Sequence, residues 1–437
     1  MSLARRLASK SVFVFALRVG GAGAIFLVQA AMARLWGSTV LGDFLLVVAV
    51  SNLVSVAMPL GFQTVGNYFA AEYRAKGEGR HLRRFLVRAY GHIVVIGVPL
   101  VLFGAPLTRF LGEAGPHLEP IWMPTAILAF CNAVVFVNAA ILIGLKRPLA
   151  GWAADMLFRP MLVISTFAVA AAAFAGPALW SMLWMLALAY SVVTAFHFGV
   201  VLHAARAVPT TETEIRRSEA RRWWRFATPW VLITLATDFF FDINLLMLAG
   251  LMGRDDLAVF GVCTRIFSLV SFGTVAVYAQ TMPDMYEADA RADRAGVARK
   301  LGEANLVATL LSLGLFAGVA VFGPFALGLF GPGFEAGALP LAILCLSLVM
   351  RAIFGPASMV LSMKDRPYAS LPAVALGLAT LAAGNFALVP TYGLMGAAIA
   401  AFIAVTLWSG GLWITALKTS GIDVSLFALV RRPAAVA

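Results

Sequence analysis

The chain has 437 residues, 61% of them hydrophobic and only 12% charged, with a formal net charge of +12. A water-soluble domain carries about 25% charged residues, so this composition excludes an ordinary soluble globular protein and calls for lipid as the main solvent. Cys131, Cys263 and Cys345 stand singly in apolar runs, which excludes a disulfide framework or a thiolate metal cluster.

A hydrocarbon core of about 30 Å takes roughly 20 apolar residues in a helix. Twelve such runs follow one another, at about 11–34, 41–70, 86–110, 120–145, 149–175 and 178–203, then 226–251, 257–283, 302–330, 337–362, 368–390 and 393–417. "MPLG" at 58–61, Pro160 and Pro356 mark expected breaks in spans 2, 5 and 10, because proline removes a helix hydrogen bond. "GGAG" at 20–23 offers span 1 either a hinge or a close-packing face. His92 and His197 are expected to pack or to bond a neighbouring helix rather than relay protons.

The basic residues orient these spans. With the N-terminus in the cytoplasm, the cytoplasmic segments take nearly all of them, including Arg80, Arg83, Arg84 and Arg88 after span 2 and Arg216, Arg217, Arg221, Arg222 and Arg225 after span 6. The opposite side holds only Arg34, Arg109 and Arg254. This is the positive-inside pattern, so the basic balance reports topology, with anionic lipid headgroups as the partner and no nucleic acid. Both termini are expected in the cytoplasm of a bacterial inner membrane.

Residues 33–55, "ARLWGSTVLGDFLLVVAVSNLVS", align with 249–271, "AGLMGRDDLAVFGVCTRIFSLVS", at a shift of 216 positions, with identities that include Gly37/Gly253, Leu41/Leu257, Phe44/Phe260 and Ser55/Ser271. The halves are therefore parallel repeats of six spans, an arrangement used by transporters. The expected organisation is an N-terminal lobe 1–205, a cytoplasmic linker 206–225 and a C-terminal lobe 226–437. In the linker, "RRSEARRWWRF" reads as an amphipathic helix on the membrane surface, with Trp223 and Trp224 as interface anchors.

Seven ionisable residues lie inside the spans: Arg18, Asp155, Arg159, Asp238, Asp242, Arg265 and Arg351. Each costs roughly 2.5–3.5 kcal/mol at a helix centre. Left unmitigated, they would together exceed a typical folding stability of about 5–15 kcal/mol, so they must face one another or water. Asp155 and Arg159 are spaced to pair locally. Asp238 and Asp242 would stand one turn apart on one face of span 7, which makes them candidates for ion coupling by H⁺ or Na⁺.

Motifs spread over most of the chain resemble the multidrug/oligosaccharidyl-lipid/polysaccharide exporter superfamily, and within it the polysaccharide transporter branch. They are "ARLWGSTVLGDFLLV" in spans 1–2, "GLKRPLAGWAADMLFRPMLV" in spans 4–5, "DINLLMLAGLMGRDDLAVFGVCTRI" in spans 7–8 and "NFALVPTYGLMGAAIAAFIAV" in spans 11–12. Ala258-Val259-Phe260 departs from the Gly and Tyr usual there. The resemblance implies an all-α polytopic membrane protein of about 12 helices, in two six-helix lobes around a central cavity lined by spans 1, 2, 7 and 8. It implies a transporter, not an enzyme, that flips undecaprenyl-pyrophosphate-linked oligosaccharide by alternating access. Arg18 and Arg265, with Arg159 and Arg351, are then expected to hold the pyrophosphate, because a guanidinium bonds phosphate in bidentate fashion and keeps its charge. Glycan polymerase or assembly proteins are the implied partners. Two other readings stand beside this one: a multidrug/cation antiporter of the same fold, and a non-transporting subunit of an envelope-glycan assembly complex. The absence of any Gly-Lys dipeptide argues against ATP hydrolysis by a phosphate loop.

Overall fold

A computed structural model describes residues 3–211, 218–290, 294–364 and 366–429. The described residues are helical throughout, with a single isolated bridge between Glu78 and Thr210. They form two compact units, 1–250 and 251–437.

In the first unit, α1 (Leu3–Trp36) turns at Gly37 into α2 (Ser38–Ala57). The expected break at "MPLG" is there: Leu60 and Gly61 take positive φ, and α3 (Phe62–Lys76) restarts beyond them. Next come α4 (Gly79–Phe103), a 3₁₀ segment Ala105–Ala114, the short α5 (Gly115–Leu118), and α6 (Trp122–Gly144). Span 5 is α7 (Pro148–Ala153), a π-helical turn Ala154–Phe158, and α8 (Arg159–Ala173), with Pro160 just past the turn. α9 (Leu179–Arg206), α10 (Glu219–Asp238) and α11 (Phe240–Leu248) complete the unit.

The second unit holds α12 (Arg254–Ala290), α13 (Arg294–Gly328), α14 (Ala338–Phe354), α15 (Ala357–Met363) and α16 (Leu371–Ser420). α14 ends at Gly355 and Pro356, as expected for span 10. At 50 residues, α16 would run about 75 Å if straight, over twice the hydrocarbon thickness. It breaks at Gly393, where φ is 53° and ψ −130°, and so supplies two crossings. Among the described residues, ten helices are long and apolar enough to cross a membrane, or 11 with the bent pair α10–α11. Counting both arms of α16 recovers the expected twelve. The chain is a multi-pass membrane protein.

Two expectations change. The sequence reading placed span 7 in the second lobe, but α10 packs on α2 and α3 and α11 packs on α2, inside the first compact unit. "RRWWRF" is not a free surface helix with both tryptophans turned outward. It forms the first turns of α10, and Trp223 is 3% exposed. Its indole Nε1 donates to Tyr73 Oη at 2.7 Å, and the Tyr73 hydroxyl donates to Glu219 Oε2 at 2.7 Å. Trp224 stacks edge-on against Phe62, with centroids 5.5 Å apart. Aromatic rings with a polar edge suit such a buried seam as well as they suit an interface, which is why composition alone misdirects here. Arg216, Arg217 and the rest of 212–217 lie outside the described residues.

Gly61 is needed where it stands. A Cβ there would run into the Ala227 carbonyl of α10, so the break in span 2 is docked directly on span 7. In "GGAG", Gly21 serves packing: its Cβ position lies 3.0 Å from Met156 O and 3.1 Å from Pro160 Cγ, bringing α1 against the π-helical turn.

Candidate functional site

One set of polar residues of the first unit meets at α2. Arg159 Nη1 donates to Asp155 Oδ1 at 3.2 Å, the local pair expected from their spacing. Arg159 Nη2 reaches Asn52 Oδ1 at 3.4 Å, a long contact, and Asn52 Nδ2 donates to Asp242 Oδ2 at 3.0 Å. One amide thus bridges the guanidinium of span 5 to the carboxylate of span 7. Asn52 and Asp242 are both buried, at 9% exposure each, while Arg159 and Asp155 are partly exposed. The chain Asp155–Arg159–Asn52–Asp242 holds two acids and one base. A carboxylate buried in an apolar surrounding favours taking up a cation or a proton.

Local structure positions each group. The π-helical turn rotates Asp155 relative to a regular helix, and turns of this kind concentrate at functional positions. Beside Arg159 lies a cavity of about 30 Å³ lined also by Ser51, Asn132 and Tyr190. Ser51 Oγ donates to Thr125 O, but the Tyr190 hydroxyl and the Asn132 side-chain oxygen have no hydrogen-bond partner among the described residues. Buried orphan polar groups are costly, and the cavity has room for a water molecule beside them.

The other expected residues fall elsewhere. Asp238 and Asp242 do not share a helix face. α10 ends at Asp238, the chain bends by 69° at Phe239, and α11 begins at Phe240. Asp238 is exposed and accepts from its neighbour Thr237 at 3.1 Å, whereas Asp242 turns inward to Asn52. Arg18 is exposed on α1. Arg265 is half-buried on α12. Arg351 is exposed on α14, with its Cζ 5.8 Å from the Trp408 ring centre, a cation–π arrangement. Of the six, Arg159 and Asp242 meet at one bridging side chain, that of Asn52. The sequence reading missed Asn52, Asn132 and Tyr190 because it followed charge; a lone asparagine in an apolar span was the available signal.

His197 bonds a neighbouring helix, as expected: its Nε2 lies 3.0 Å from Ala150 O. The three cysteines are buried and free. No group of side chains suited to a metal ion occurs among the described residues.

No protein-family model matches the sequence, and no curated protein matches it. Solved structures do resemble it. An inward-facing multidrug resistance MATE family transporter of the MOP superfamily aligns with TM-score 0.73 at 18% identity, covering 93% of this chain and 95% of that one. An outward-facing conformation of such a transporter aligns with TM-score 0.61 at 16% identity, covering 94% and 95%. A MATE protein in the straight conformation gives 0.62 at 17%, covering 93% and 94%. Those neighbours are transporters, not enzymes, and at these identities the likeness is one of fold: the chain has the MATE transporter fold.

Proposed function

We propose that the chain is an ion-coupled secondary transporter working by alternating access, and that it exports organic cations or similar amphipathic compounds. The reading rests on the Asp155–Arg159–Asn52–Asp242 chain. It puts a carboxylate inside an apolar helical unit, joined through one neutral amide to a guanidinium. Protonation of Asp242, or capture of Na⁺, would weaken its hold on Asn52 and release Arg159 from that side. Binding energy that differs between two arrangements is what shifts a conformational equilibrium. The multidrug resistance transporters of the same fold support this substrate class.

A second reading, flipping of an undecaprenyl-pyrophosphate-linked oligosaccharide at a bacterial inner membrane, draws on the sequence motifs and on Arg18, Arg265 and Arg351. These guanidinium groups suit a pyrophosphate and have no evident use in moving a cation. Glycan assembly proteins would be partners under that reading.

Reconstitution into proteoliposomes separates the two. An imposed pH or Na⁺ gradient should drive a lipophilic cationic dye across the membrane, with no effect of added polyprenyl-pyrophosphate oligosaccharide. Gradient-independent dye movement, together with protected transfer of the glycolipid between leaflets, would overturn the first reading in favour of the second.

A further inference from the structure

A second cavity of the first unit is apolar. A groove of about 480 Å³ opens on the side of the unit between α4 and α9, floored by α6. The two wall helices each lie along α6 but hardly touch one another. Gly97 makes the floor possible, because a Cβ there would come within 2.6 Å of the Phe130 ring, which lies against the α4 backbone.

The lining is almost wholly apolar, with Val94, Val98 and Leu102 of α4 exposed along one rim and Ala195 along the other. The polar side chains present are used internally. Ser191 Oγ donates to Ala187 O at 2.7 Å and lies 3.4 Å from Cys131 Sγ, and the Tyr90 hydroxyl meets the Asn138 side chain. Thr194 of the α9 wall is the exception, one buried hydroxyl with no hydrogen-bond partner among the described residues. The groove therefore offers little to a charged or hydrogen-bonding ligand.

Its length sets the occupant. Along α4 it runs from Tyr90 to Leu102, about 18 Å of helix, close to the half-thickness of a hydrocarbon core of about 30 Å. Beyond Leu102 the 3₁₀ segment carries exposed Arg109 and Phe110, a cation and an aromatic ring at headgroup level. We propose that this groove is a phospholipid site. One acyl chain lies between α4 and α9, and the phosphate sits at Arg109. The chain acts as a packing element, supplying the dispersion contacts that a void would forfeit. This site depends on membrane insertion alone and not on what the protein transports.

The test uses the full-length protein in vesicles of phosphatidylethanolamine and phosphatidylglycerol doped with a phospholipid bearing a diazirine near the end of one acyl chain. After irradiation, peptide mapping should find adducts on Val94, Val98 and Ala195 enriched about tenfold, the ratio that 1.4 kcal/mol of retention gives, over exposed Val321 and Phe325 of α13. Ala195→Trp, or Val98→Trp from the opposite wall, should fill the groove and remove the enrichment while leaving the melting temperature within a few degrees. Arg109→Gln should reduce it less. Equal labelling of groove and flat positions, or labelling that survives both tryptophan plugs in folded protein, would overturn the proposal. So would loss of the labelling when a transported dye is present during irradiation, which would make the groove a substrate site.

Discussion

α2 and α12 are matched by the internal repeat, and their differences locate the chemistry. Both start in the same way. Leu41 N donates to Gly37 O at 3.3 Å, and Leu257 N donates to Gly253 O at 2.9 Å. The matched leucines and the matched Phe44 and Phe260 are all buried. Further along, Ser55 Oγ donates to Asn52 O and Ser271 Oγ to Ser268 O, both at 2.7 Å. The two helices part at the positions between. Asn52 bridges Arg159 and Asp242, whereas Ser268 turns its hydroxyl back on Thr264 O at 2.8 Å. Ser51 lines the polar cavity, whereas Phe267 is a buried ring. A similar scaffold thus carries an inter-helix bridge at Asn52 in one unit and a local hydroxyl-to-backbone bond at Ser268 in the other.

The comparison can be broken most sharply at its centre. Asn52→Leu keeps the volume near that of asparagine but removes both bonds to charged partners. Hydrogen bonds to charged groups are worth about 1.5–3 kcal/mol each, so gradient-driven transport should fall by more than about tenfold. Ser268→Leu in α12 should leave transport within about twofold. Parallel uptake assays on the two variants decide the matter, and equal losses would mean that the network is not special.

A second test concerns the breaks. Gly61→Ala places a methyl into the Ala227 carbonyl at a φ of 86°. Backbone strain of this kind alone costs about 1–3 kcal/mol, and the clash adds to it, so melting should drop clearly or folding fail. The paired glycines at the helix starts sharpen the point. Gly37 holds φ 92° with open space around it, while Gly253 is equally open but at an ordinary φ. Gly37→Ala should cost about 1–3 kcal/mol. Gly253→Ala should be close to neutral.

The smallest expected effect lies where the units close their ends. The first unit uses ions: Arg222 donates to both Glu72 oxygens, at 2.7 and 3.1 Å. The second uses neutral donors: Asn305 Nδ2 reaches Val424 O at 2.5 Å and Trp413 Nε1 reaches Asp423 at 2.8 Å. Burial pushes the Glu72 carboxyl up, but its bonds to Arg222 and Lys76 outweigh this and leave it below the ordinary carboxylate range. Its contribution is therefore complete above the unfolded-state value of about 4.3 and is lost as pH falls through the folded value. Partly exposed pairs contribute about 0–1 kcal/mol. Glu72→Gln should lower the melting temperature slightly at pH 7, and the difference from wild type should vanish at acid pH.

The crossings were legible because span length is fixed by bilayer thickness, and the breaks at "MPLG", Pro160 and Pro356 because proline and glycine announce themselves. The Asp155–Arg159 pair was legible for the same local reason. The site as a whole was not. Asn52 is neutral and stands 190 residues from Asp242, so neither charge nor spacing connects them. The acid pair on span 7 misled because the bend at Phe239 carries no proline or glycine, leaving Asp238 and Asp242 to look like neighbours on one helix. Trp223 misled because its indole finds Tyr73 where an interface would serve equally well.

Asp242→Asn tests the central claim most directly. The amide preserves shape and the contact with Asn52 but cannot take up a proton or a cation. In proteoliposomes carrying a pH or Na⁺ gradient, the substitution should abolish uphill substrate movement and leave the protein folded with unchanged substrate binding. Gradient-driven transport at the wild-type rate from the Asp242→Asn protein would contradict the account.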